Sequence, residues 1–218
     1  MKHARIFLFC ASMIVMGCCN FLIGKSLTDI TLNTNGISKD SLIEMSKEPY
    51  MVPYVKYLMK ADIPWEEGDM WFYTLVFIDD DEIPEMIVRS NLYYALDGLV
   101  MSQYDGVVSS IEVLKEVQYI ERSGLLKNYW SNVGGSMDRV FQLKNGQFEL
   151  TATMQGEDNF ENPGVRYYFN GKEVDEETAE KLLKEAFEDK GSSIFIDDLE
   201  WMDWNELLKH KESIKGWK

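Results

Sequence analysis

Past residue 19 the chain contains no cysteine: Cys10, Cys18 and Cys19 are the full set. The folded part therefore has no disulfide to form, and its stability has to come from core packing. Histidine is nearly as scarce, with His3 close to the N-terminus and His210 close to the C-terminus. A Ser–His or Cys–His pair would have to use His210, and no nucleophile motif accompanies it, so a helix-end or surface residue is the better reading. Zinc sites built from several His or Cys ligands are excluded by count. The glycine patterns of two common sites are also broken. GKS at 24–26 lacks the earlier glycine of a phosphate-binding loop, and GGSMD at 134–138 has Asp138 where a nucleophile elbow needs its second glycine. Basic charge is short as well, 22 Lys and Arg against 37 Asp and Glu, a net charge of −15. Such a surface repels phosphate backbones and argues against nucleic-acid binding. Carboxylate pairs of the glycosidase kind stay open, because they are defined by a separation across a cleft and not by sequence. Together these absences disfavour an enzyme without eliminating one.

What is present begins with an address. Lys2 and Arg5 precede a mostly apolar run, IFLFCASMIVM from Ile6 to Met16. Its length suits the apolar region of a signal peptide and is short of the roughly 17 to 25 residues of a membrane span. VMGC, Val15 to Cys18, resembles the bacterial lipobox, which implies cleavage before Cys18 and lipidation of its sulfur. The alternative is an uncleaved anchor running through NFLIG to about residue 24; run length and lipobox together favour the lipoprotein. Either places the rest of the chain outside the cytoplasm, at the membrane face. Residues 1–17 hold Lys2 and Arg5 and no acid, so the mature chain keeps 20 basic against 37 acidic residues, a net charge of −17. That charge is repelled by an anionic membrane, so the lipid and not a basic patch is the expected anchor.

The expected organisation is a signal peptide over 1–17, a lipidated cysteine with a flexible tether over 18–37, and a single domain over 38–218. KSLTDITLNTNGISK, Lys25 to Lys39, has tether composition. The following segment reads as helix in two pieces, interrupted at Pro49 and Pro53, with Tyr54, Val55, Leu58 and Met59 on one face. WFYTLVFID from Trp71 has the near-continuous apolar character of a strand buried on both faces, and MIVRS after Pro84 reads as its partner. Turn signals then punctuate a series of short strands: LDG at 96–98, YDG at 104–106, RSG at 122–124 and GG at 134–135. Asn145-Gly146 and Asn170-Gly171 are hairpin signals flanked by apolar alternation. Near the end, Asp175 is a candidate N-cap, and Ala179, Leu182, Leu183, Ala186 and Phe187 form one apolar stripe. A last helix is expected from Asp197 or Asp198, with Trp201, Trp204 and Leu208 on one face. The fold class this predicts is α+β: an antiparallel β-meander sheet with an N-terminal helical segment and C-terminal helices packed on it.

FIDDDEIPEM, Phe77 to Met86, is the one segment that looks like chemistry. With the lipobox, and more loosely the tyrosine-rich hairpins up to YYFNGKEV, it resembles a group of lipoproteins from Gram-positive anaerobes whose hallmark is a DIDGDGIPEL segment. Most members have no assigned function, so the resemblance implies a location and a fold type. As a calcium loop the segment is degenerate. Aligned on IPEM, Asp79 and Asp81 take ligand positions 3 and 5, but Phe77 falls at position 1 and Glu82 at the glycine position. Starting at Asp79 instead puts Pro84 at the glycine position and Ser90 at position 12. Asp79, Asp81 and Glu85, with Asp80 beside them, are the candidate ligands of a weakly held calcium ion, the one cofactor considered; a solvated acidic turn is the bland alternative. No catalytic residue is assigned. The leading expectation is a non-catalytic surface module that binds a protein or glycan partner in the cell envelope. Its rivals are a carbohydrate-binding module or weak glycosidase, for which Trp71, Trp130 and the tyrosines supply sugar-stacking rings, and a calcium-stabilised adhesion module.

Overall fold

A computed structural model describes residues 37–61, 70–90, 97–114, 116–158 and 164–218. The leader, Cys18 and most of the tether lie outside the described residues. The first described helix, α1 (Lys39–Met45), is capped by Ser38, whose hydroxyl accepts the Ser41 N–H. A break around Pro49 leads to α2 (Met51–Lys60), with Pro53 in the first turn, where its missing N–H costs nothing. Met51, Tyr54, Val55 and Leu58 make the buried face of α2. Met59, expected on that face, is 55% exposed.

Twelve described strands form two sheets in which every described pairing is antiparallel. The first holds β1 (Trp71–Val76), β2 (Glu85–Ser90), β3 (Asp97–Tyr104), β4 (Val107–Leu114) and β12 (Met202–Asp203), in the order β12-β1-β2-β3-β4. The second holds β5 (Glu116–Ile120), β6 (Leu125–Asn132), β7 (Gly135–Lys144), β8 (Gln147–Asp158), β9 (Val165–Phe169), β10 (Lys172–Val174) and β11 (Ser193–Phe195). Its order is β10-β9-β8-β7-β6-β5-β11. The α+β class stands, and the meander passes from one sheet to the other between β4 and β5.

Strand alternation explains the layering. In β1 and β2, Tyr73, Leu75, Met86 and Val88 face α1 and α2, while Val76 and Ile87 face the second sheet. β1 is thus buried on both faces, as its apolar run requires. The cluster between the sheets adds Val100 and Val113 from the first, and Val117, Tyr119, Leu126, Phe141 and Leu143 from the second. On the outer face of the second sheet, Ile120, Val140 and Ala152 pack under Leu183 and Phe187 of the segment that begins with α3 (Glu176–Ala186). The order of layers is helices, sheet, sheet, helix. Asp175 caps α3 by accepting the Thr178 N–H at 2.8 Å.

The hairpin signals hold at Asp105-Gly106, Asn145-Gly146 and Asn170-Gly171, where both residues of each pair have positive φ, as a type I′ turn demands. LDG is different: Asp97 and Gly98 lie within β3. A Cβ on Gly98 would stand 2.8 Å from the Val88 carbonyl oxygen, so this glycine permits close strand approach and not a turn. The last helix also differs from expectation. Residues 196–198 form a single 3₁₀ turn, and α4 (Trp204–Lys209) starts only after Asp203, whose carboxylate accepts the Asn205 N–H. Trp201 and Trp204 consequently part company: Trp204 packs under α1 and α2 with Tyr73, and Trp201 joins the cluster between the sheets. His210 ends α4 and is exposed. Among the described residues, no helix is long and apolar enough to cross a membrane.

Candidate functional site

The acidic segment joins β1 to β2, and its own side chains fold it. Asp79 Oδ1 accepts the Asp81 N–H at 3.1 Å, and Asp81 Oδ1 accepts the Ile83 N–H at 2.7 Å. These two successive Asx turns reverse the chain. No residue of the loop adopts positive φ, which accounts for the tolerance of Glu82 where a calcium loop has glycine.

Glu85 opens β2 and points inward. It is 1% exposed, and its carboxyl ties two strands to the loop: Oε2 accepts the Ile78 N–H at 2.7 Å, and Oε1 pairs with Ser102 Oγ of β3 at 3.2 Å. Three further contacts fix the surroundings. The Tyr54 hydroxyl of α2 donates to the Pro84 carbonyl at 2.9 Å. The Gly124 N–H, from the turn between β5 and β6, donates to the Ile78 carbonyl at 2.7 Å. Arg122, in the same turn, donates to the Asp81 carbonyl at 3.3 Å and lies 4.5 Å over the Phe77 ring. Both sheets and one helix therefore hold a ten-residue stretch, Phe77 to Met86.

One oxygen each from Asp79, Asp81 and Glu85 lie within 4.8 Å of one another. Asp80 and Glu82 are exposed and stand outside this group. Confinement raises the proton affinity of the inner two acids. Burial pushes Glu85 from its ordinary 4.5 to about 8, reinforced by the charges of Asp79 and Asp81 and opposed by the bonds from Ile78 and Ser102. Asp81 rises to about 6, again first through burial, opposed by the Ile83 N–H and aided by Asp79. The group can shed its repulsion by holding a proton on Glu85 or by accepting a cation. Calcium sits 2.3–2.6 Å from its oxygens, so two of its ligands can be at most about 5 Å apart, and the observed spacing fits that limit. The donor set is incomplete for an ion that takes 6–8 oxygens; carbonyls or water would have to supply the rest.

All three candidate ligands read from the sequence thus converge. Nothing near Ser102, Tyr54 or Arg122 in the chain marks them as members of the site. Ser102 sits in an ordinary strand pattern 17 residues from Glu85, and only strand register makes them neighbours. The two tryptophans considered for sugar stacking do not share a surface. Trp71 packs beside the cluster under α1 and α2, and Trp130 is a half-buried residue of β6. Comparison with known protein families, curated proteins and solved structures finds no match to the chain.

Proposed function

We propose that this chain is a lipid-anchored extracytoplasmic protein, a non-catalytic module that binds a partner or ligand in the cell envelope. The observation that carries the reading is the pairing of a lipobox-like VMGC at Val15 to Cys18 with a domain whose first described helix is capped at Ser38. The segment from Lys25 to Lys39 has tether composition, and a flexible tether of about 20 residues would reach roughly 20 Å from a membrane surface. Fatty-acid labelling of the full chain in a bacterial host tests the anchor: Cys18→Ala abolishes incorporation, and undiminished labelling of the variant removes the anchoring claim.

A second reading rests on the convergence of Asp79, Asp81 and Glu85. In it the loop takes up a calcium ion and the module is calcium-stabilised. Thermal unfolding in EDTA and in millimolar calcium decides. An ion at 100 times its Kd stabilises by about 2.7 kcal/mol, and Asp81→Ala abolishes the gain. Identical melting in both buffers retires the reading.

A further inference from the structure

Asp138, in the middle of β7, faces outward from the second sheet on the side that carries α3, since Val140 two residues along packs under Leu183 and Phe187. It is 5% exposed. It nevertheless makes no hydrogen bond and no ion pair among the described residues, although an ionised carboxylate offers about four acceptor sites. Its oxygens are not among the polar atoms sealed from solvent without a partner, so the small opening it keeps lies at the carboxylate. Register puts Tyr129 of β6 directly beside it on one side and Met154 of β8 on the other, both half-buried. Lys127, on the same face, does not satisfy it. The Lys127 ammonium is 3.7 Å from Glu188 and 5.3 Å over the Phe187 ring.

We propose that Asp138 anchors a binding site for an organic cation, taking an ammonium or guanidinium group against the Tyr129 ring. The surrounding charge favours this sign: Asp138, Glu116 and Glu188 outweigh Lys127, and Lys127 is already held by Glu188. Burial raises Asp138 to about 6, with Lys127 opposing and Glu116 and Glu188 adding, so the carboxylate is ionised at neutral pH. A divalent metal ion fits poorly, because among the described residues only Asp79, Asp81 and Glu85 gather three carboxylates at metal spacing. One carboxylate beside one aromatic face is instead what a primary ammonium or guanidinium needs. The cation can come from a free amine or from a Lys or Arg side chain of a basic partner. The site is separate from the loop between β1 and β2.

Calorimetric titration of the full chain at pH 7.5 in about 0.15 M salt, where long-range attraction to the acidic surface is screened, uses three probes: spermidine, arginine amide and a lysine-bearing peptide. At least one binds saturably with one-site stoichiometry, and D138N weakens it at least about tenfold, while a D79N/D81N double variant binds as the parent does. Preference for the peptide over both small amines identifies a side-chain source, and the reverse identifies a free amine. Asp138 has no hydrogen bond to lose, so D138N melts no lower than the parent. Should it melt lower, the ring resonances of Tyr129 in the unmodified chain decide in its place, by shifting as the probe is added. No saturable binding by any probe, equal affinity in a folded D138N, or binding that leaves Tyr129 unshifted overturns the proposal.

Discussion

Glu85→Gln turns the buried carboxyl into a measurement. Glu85 titrates at about 8 in the fold against an ordinary 4.5, so the native state holds this proton more tightly than the unfolded chain. A raised carboxyl pKa means that the stability it confers is complete below the unfolded value and is lost as pH rises through the folded one. Each pKa unit corresponds to about 1.4 kcal/mol, so between pH 5 and pH 8 the loss from Glu85 is about 3–4 kcal/mol. For a domain of this size that is a fall of roughly 10 °C in Tm. Glutamine keeps an oxygen for the Ile78 N–H and a donor for Ser102 and cannot titrate. Asp81 rises as well, but it is only half-buried and rises less than Glu85, so its share is smaller, and it remains in the variant. The comparison is made by thermal unfolding in EDTA across pH 5 to 8. The parent loses stability steeply while Glu85→Gln stays nearly level and becomes the more stable of the two at pH 8. Parallel slopes would mean that Glu85 carries no such proton and that the loop is not charge-frustrated.

Gly98→Ala places a Cβ 2.8 Å from the Val88 carbonyl, backbone that cannot rotate away, and costs about 1–3 kcal/mol in chemical denaturation. Phe187→Ala empties the centre of the cluster under α3, where the ring is fully buried, and lowers stability by about 3–5 kcal/mol. Since the Lys127 ammonium lies over that ring, the variant also exposes Lys127 to faster amine labelling, and unchanged labelling would show that the ring does not shield it.

The parts of the fold legible in the sequence are those fixed by neighbours in the chain. Asn145-Gly146 is a type I′ turn because only such residues tolerate positive φ twice in succession. Asp175 caps a helix because its carboxylate reaches the N–H three residues ahead. LDG misled for a non-local reason: the same small residue that suits a turn also suits a strand pressed against another, and only the position of Val88 decides which. Trp201 and Trp204 misled in the same way. Their helical spacing is real, but Asp203 caps the helix between them, and the chain assigns them to different cores.

The two acidic sites divide along the same line. Asp79, Asp81 and Glu85 lie within seven residues, so any compact loop would bring them close, and their clustering could be read before the fold was known. What could not be read is that Glu85 is the inner member. That follows from β2 starting at this residue with its odd-numbered neighbour Ile87 turned to the second sheet and Ser102 waiting on β3. Asp138 had no such signal. It entered the sequence reading only as the residue that breaks a glycine pattern, because nothing within several residues marks it as different from the other acids of a strongly acidic chain. Its character comes from Tyr129, Met154 and Lys127, brought beside it by strand register and by α3 closing over the next rung of the sheet. An acid that is buried by partners far away in sequence and given no hydrogen bond by any of them keeps its acceptor sites unused, and that condition exists only in three dimensions.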